Sequence, residues 1–117
     1  MVRLRADEYG KDYAAQFIVG LREMHHIALL LFDTTKSEER QRALDLARVL
    51  IDEAAAEGYG EYRTHNALMD QVMGTYNWGE GALRRFHETV KDALDPNSIM
   101  APGKSGIWGR KYRDPRL

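Results

Sequence analysis

A chain of 117 residues is bounded to one domain at most, and its formal net charge of −1 gives no global pull toward nucleic acid or an anionic membrane. The absence of cysteine excludes disulfides, thiolate metal sites and a cysteine nucleophile. The longest apolar run, residues 27–32, is far too short to span a bilayer, and the opening MVRLRADEYG has no apolar signal-peptide core, so a cytoplasmic protein without a membrane partner is expected.

Residues 1–12 are polar and read as an irregular start. Two strand-like runs follow, Tyr13–Val19 and Met24–Phe32. In the first, Tyr13, Ala15, Phe17 and Val19 share one face, with Gln16 and Ile18 on the other. Gly20-Leu21 suits a two-residue hairpin loop with a positive φ at the glycine. That loop would set Gln16 directly opposite His25, about 5 Å away. Thr35 and Glu38 then have the spacing of a capping box, opening a helix to about Glu57. Ala43, Leu46, Ala47, Leu50, Ile51 and Ala54 form its apolar stripe, and Gly58 is placed to terminate it.

The stretch Gly58-Tyr59-Gly60-Glu61-Tyr62-Arg63 is a break rich in glycine and aromatic residues. A second helix is expected over Asn66–Tyr76, with Leu68, Met69, Val72 and Met73 inward. Asn77-Trp78-Gly79 interrupts it. A third helix, Ala82–Leu94, should bury Leu83, Phe86, Val90 and Leu94 before Asp95-Pro96-Asn97 stops it. The tail, residues 99–117, reads as irregular. The fold class is therefore α+β: a β-hairpin, about three helices and an irregular C-terminal tail. Two strands alone do not make a stable sheet. Either the helices cover the hairpin, or its edges pair with strands from elsewhere.

The common catalytic templates are missing: no phosphate loop, no dinucleotide fingerprint, no H-E-x-x-H and no G-x-S-x-G. Gly103-Lys104-Ser105 resembles the end of a phosphate loop, but the earlier glycine spacing is wrong and no strand precedes it. His25 and His26 are strand neighbours that point to opposite faces, so they do not make a joint metal site. His65 and His87 have no ligand spacing. Tyr62-Arg63 pairs a phenol hydroxyl with a guanidinium, a combination suited to an anionic oxygen. On spacing alone, a surface arginine beside a core tyrosine is the weightier reading. Lys104, Arg110, Lys111, Arg113 and Arg116 make the tail basic against one acid, Asp114. Without interleaved aromatics it is expected to be solvated rather than bound to nucleic acid.

Four stretches in order, FIVGLREMHHI (17–27), GYGEYRTHNALMD (58–70), YNW (76–78) and DALDPNSIMAPGKSGIW (92–108), resemble the C-terminal part of the 4-cresol dehydrogenase, vanillyl-alcohol oxidase and eugenol oxidase family. The resemblance covers about residues 13–108. It implies that residues 1–59 are the end of a cap domain, whose larger sheet would hold the hairpin. Residues 60–117 would be the last segment of an FAD-binding domain. The family oxidises 4-alkylphenols and 4-hydroxybenzylic alcohols, bound as phenolates, by hydride transfer from the benzylic carbon to flavin.

By the same resemblance, Tyr62 and Arg63 are the phenolate-binding pair, and Arg63 also faces the flavin. Gln16 and His25 line the substrate cavity. Lys104 lies in a segment, residues 102–106, that packs near FAD. The FAD-gripping N-terminal half, the second phenolate tyrosine, the acidic residue near the benzylic carbon and the covalent flavin anchor have no counterpart here. Gly109 stands where the family usually has proline. The expectation is thus a fragment of an FAD-dependent phenol oxidoreductase, inactive alone, whose partners are a para-substituted phenol, an N-terminal FAD-binding chain and further copies of itself. The alternatives are a small stand-alone module that binds an aromatic ligand, or a structural remnant without catalysis.

Overall fold

A computed structural model describes residues 1–113. Arg116 and Asp114 of the basic tail lie outside the described residues. The chain divides into two compact units, Met1–Leu50 and the part from Ile51 onward. The architecture is α+β, as expected, with a two-stranded antiparallel sheet and helices.

The first unit begins with a short helix, α1 (Val2–Glu8), where an irregular start was expected. Ala6 on α1 is fully buried, and its carbonyl accepts from the Lys11 amide at 2.8 Å, which ties the helix to the chain leading into the hairpin. Lys11, also buried, sets its ammonium 3.6 Å from Glu39. Strands β1 (Asp12–Val19) and β2 (Met24–Leu31) form the hairpin. Its register corrects the expected pairing. Gln16 stands opposite Ile27, and His25 opposite Ile18. The Gly20 amide donates to the Glu23 carbonyl at 2.9 Å, so the turn centres on Leu21-Arg22, one residue later than expected. Gly20 does not use a positive φ. It supplies space instead, because a Cβ there would meet the Glu23 carboxylate at 2.2 Å.

Helix α2 (Ser37–Ala56) crosses from the first unit into the second. Its N-terminus is held around Asp33 rather than by the expected Thr35–Glu38 box. The Asp33 carboxylate accepts from the Thr35 amide at 2.9 Å and its hydroxyl at 2.6 Å, and Glu39 accepts from the Asp33 amide at 3.0 Å. These bonds hold the Asp33 carboxyl below its ordinary range, chiefly through the Thr35 hydroxyl. Ala43, Leu46 and Ile51 of the apolar stripe are buried. The helix ends in a Schellman motif: Gly58, at φ +83°, donates to Ala55, and Tyr59 donates to Ala54.

In the second unit, a 3-10 turn (Asn66–Leu68) leads into α3 (Met69–Thr75). Leu68, Met69, Val72 and Met73 are all buried, as the spacing predicts. Helix α4 (Trp78–Leu94) has left-handed backbone at Gly79, Glu80 and Gly81, so regular helix starts at Ala82. Phe86 and Leu94, expected inside, are 64% and 74% exposed, and Val90 is exposed as well. The period of this stripe is right, but no described segment of the unit covers it.

The tail has little regular structure among the described residues, as expected: a 3-10 turn (Lys104–Gly106) and a four-residue helix, α5 (Arg110–Arg113). Acids on α3 and α4 organise it. Asp95, at the end of α4, accepts from the Ile99 and Met100 amides at 3.0 and 2.9 Å and pairs with Lys91 at 2.7 Å. Trp108 donates its indole N–H to Asp70 at 2.7 Å. Arg113 pairs with Asp92 and with Glu88, and the Arg110 amide donates to Asp92. The hydrogen bond from Arg113 lowers the Asp92 carboxyl below its ordinary range and raises the guanidinium in return. Arg113 is therefore spent on helix α4 rather than left for a ligand. Among the described residues, no helix is long and apolar enough to cross a membrane.

Candidate functional site: the Tyr62–Arg63 loop

The loop that follows the α2 Schellman motif carries Tyr62 and Arg63 on its outer side. Tyr62 is 61% exposed, and Arg63 is exposed too. The Arg63 guanidinium carbon stands 5.7 Å from the centre of the Tyr62 ring, within cation–π range. No described carboxylate forms an ion pair with Arg63, so its positive charge is not neutralised within the described residues. The expected picture of a core tyrosine beside a surface arginine does not hold. Both side chains face outward, next to each other.

The backbone on either side of the pair is anchored. Before it, the Tyr76 hydroxyl donates to the Glu61 carbonyl at 2.8 Å. After it, the His65 ring accepts from the Ala67 amide at 3.2 Å, and the His65 carbonyl accepts from the Leu68 amide at 2.9 Å. Gly60 makes the first anchor possible. A Cβ at that position would lie 2.6 Å from the Tyr76 hydroxyl and 3.2 Å from two ring carbons. Thr64, immediately after Arg63, has a buried hydroxyl with no hydrogen-bond partner. The roles of Tyr76, Gly60 and Thr64 were not read from the sequence. Tyr76 stands at the end of the expected second helix and opens the Tyr-Asn-Trp motif, which gives no sign of a contact with residues 60 and 61.

Lys104 sits in a tight turn, Lys104–Gly106, packed on α3. The Ser105 amide donates to the Met69 sulfur at 3.2 Å, and Gly106 lies against Met69 and Met73. The Lys104 turn and the Tyr62–Arg63 loop thus both attach to the segment running from His65 through α3. The Lys104 side chain itself is exposed.

Gln16 and His25 lie on the same face of the hairpin, as expected, but diagonally, one register step apart. Diagonal neighbours of this kind are separated by roughly 7–8 Å, still within reach of long or ring-bearing side chains. The opposite face carries a separate cluster. The Tyr13 hydroxyl lies 2.6 Å from His26 Nε2, and the Phe17 ring stacks on His26 at 4.8 Å. Among the described residues, no group of three or more His, Asp or Glu side chains could hold a metal ion.

Comparison with known proteins extends this description. Residues 2–105 match the family described as FAD linked oxidases, C-terminal domain. Over 100 residues the chain is 43% identical to the 4-cresol dehydrogenase [hydroxylating] flavoprotein subunit of Pseudomonas putida, covering 86% of this chain and 19% of that protein. Its fold superposes on 4-ethylphenol oxidase from Gulosibacter chungangensis, solved as an isoeugenol complex, with a TM-score of 0.94 and 54% identity. That match covers 96% of this chain and 21% of the oxidase. It also superposes on p-cresol methylhydroxylase, solved with substrate bound, with a TM-score of 0.84 and 40% identity over 92% of this chain and 20% of that one. The chain spans about a fifth of the length of these relatives. The hairpin, the helices and the Tyr62–Arg63 loop therefore belong to a member of the FAD-linked oxidase family, in its C-terminal domain.

Proposed function

We propose that this chain supplies the phenol-recognising part of an FAD-dependent oxidoreductase that oxidises para-substituted phenols, 4-alkylphenols and 4-hydroxybenzylic alcohols among them. The observation that carries the reading is the outward-facing Tyr62–Arg63 pair on an anchored loop, in a chain whose relatives include a 4-ethylphenol oxidase. The Tyr62 hydroxyl donates a hydrogen bond to the phenolate oxygen. The Arg63 guanidinium supplies the countercharge that keeps that oxygen ionised. An ionised oxygen pushes electron density through the ring and weakens the benzylic C–H bond, so holding it pre-organised lowers the barrier.

The residues present fit a flavin edge as well. Arg63 has charge to spare, and the buried Thr64 hydroxyl beside it lacks a partner. FAD, when bound, accepts the hydride. Arg63 and Lys104 are the residues of this chain that would hold it, and Gln16 and His25 would line the space around the phenol. Residues 1–59 would then serve as cap and residues 60–117 as the last segment of an FAD-binding domain. Turnover requires polypeptide equivalent to the remaining four-fifths of the relatives' length.

The test is a chimera in which this chain replaces the matching segment of the Gulosibacter chungangensis oxidase. It should bind FAD and oxidise 4-ethylphenol, whereas the 117-residue chain mixed with FAD should not. Tyr62→Phe should lower kcat/KM by about ten- to a hundredfold, the range for one hydrogen bond to a charged group. A folded, flavin-bearing chimera whose activity is indifferent to Tyr62→Phe would overturn the assignment.

A further inference from the structure

We infer that Tyr76 is a positioning residue that sets the conformation of the Tyr62–Arg63 dipeptide, with Gly60 as the gap through which it reaches. Its functional consequence rests on the phenolate reading above. The inference itself rests on contacts within the second unit. Tyr76 caps the C-terminal end of α3, and its hydroxyl donates to the carbonyl of Glu61, the residue just before Tyr62. The other end of the same segment grips the chain just after the pair, through His65 and the amides of Ala67 and Leu68. The four buried side chains from Leu68 to Met73 make that segment the rigid part of the unit. A loop fastened at both ends to one rigid element has few ways to move the two residues between.

The bond is partly buried, and Glu61 has no other described donor to its carbonyl. Losing it frees the first anchor while the ring still packs. A methyl group at residue 60 attacks the same contact from the other side, since it would stand 2.6 Å from the hydroxyl and must push the ring away. Tyr76→Phe and Gly60→Ala therefore remove one interaction by two routes, so their effects should not add.

NMR order parameters of the Tyr62, Arg63 and Thr64 amides in the full chain test this directly. Each single variant should lower them from about 0.85 toward about 0.6, the values of rigid and flexible backbone, and the double variant should match the singles. Far-ultraviolet circular dichroism checks that each remains folded, and Tyr76→Phe alone decides if Gly60→Ala does not fold. Unchanged order parameters in Tyr76→Phe, or additive effects in the double variant, would overturn the inference. In the chimera, the loosened loop should raise KM for 4-ethylphenol more than it lowers kcat. Lower order parameters with unchanged kinetics would leave the positioning role standing and overturn the phenolate reading instead.

Discussion

Replacing Gly106 with alanine should destabilise the second unit far more than the same change at Gly58, although both glycines have positive φ. At Gly58, φ is +83° and an added Cβ would meet nothing within 4 Å. The cost there is backbone strain alone, about 1–2 kcal/mol for an alanine in left-handed conformation. At Gly106, φ is +70°, and the Cβ would stand 2.5 Å from the Met73 Cβ and 2.8 Å from the Met69 carbonyl oxygen. The second of these is helix backbone and cannot swing away. Forcing a methyl group into such a contact adds about 1–3 kcal/mol of overpacking. The sum is about 2–5 kcal/mol against about 1–2 for the control. With a urea dependence of about 2 kcal/mol per molar, the unfolding midpoint should fall by about 1–2.5 M. Both tryptophans, Trp78 and Trp108, belong to the second unit, so intrinsic fluorescence follows the right transition. Equal midpoints for the two variants would show that Gly106 does not touch α3, and the attachment of the Lys104 turn would fall with it.

Acid should unfold the second unit through Asp92 and Asp95. Both carboxyls are held below their ordinary range, Asp92 chiefly by the hydrogen bond from Arg113 and Asp95 chiefly by that from Lys91. A lowered folded-state pKa contributes stability above the ordinary value of about 3.9 and loses it as pH falls through the folded value. The urea midpoint should be flat from neutral pH to about 5, then drop, and Asp95→Asn should flatten the acid limb. An unchanged limb would count against the Asp95 network. In the chimera, Arg63→Lys should cost about tenfold or more in kcat/KM, because an ammonium cannot reproduce the planar fork of a guanidinium. A wild-type rate would remove Arg63 from the site. Phe86→Lys with Leu94→Lys should change stability by less than about 0.5 kcal/mol each, both side chains being mostly exposed. Sedimentation velocity should show less self-association in the double variant, and no difference would mean that this stripe is not where copies meet.

The parts of the fold readable from sequence were those decided within one or two turns of chain. Gly58 ends α2 because six consecutive residues suffice to build a Schellman motif. Leu68, Met69, Val72 and Met73 share one apolar face at helical spacing within about two turns of chain, and all four are buried. Phe86, Val90 and Leu94 show the limit. Their spacing announces an apolar face, and periodicity states only that a face exists. It does not state what covers it. The tail was legible as irregular, but what holds it in place was not. Its order comes from pairings such as Arg113 with Asp92 and Trp108 with Asp70, which join residues far apart in the chain.

The hairpin register makes the same point on a smaller scale, and there the error was partly harmless. Moving the turn centre from Gly20-Leu21 to Leu21-Arg22 shifts every partner by two residues, and side chains alternate with a period of two. Gln16 and His25 therefore keep a common face while losing their direct opposition. A shift of one residue in partner would have sent them to opposite faces. At the Tyr62–Arg63 loop, composition exposed the two side chains that could meet an anion, whereas the contact that fixes their backbone was hidden. Tyr76 acts through its hydroxyl on a carbonyl fifteen residues away, and Gly60 acts by having no side chain at all. Neither leaves a periodic or charged signature. A glycine two residues before Tyr62 becomes informative only once the ring that fills its space is known, and so the support of a candidate site is harder to read from sequence than its side chains.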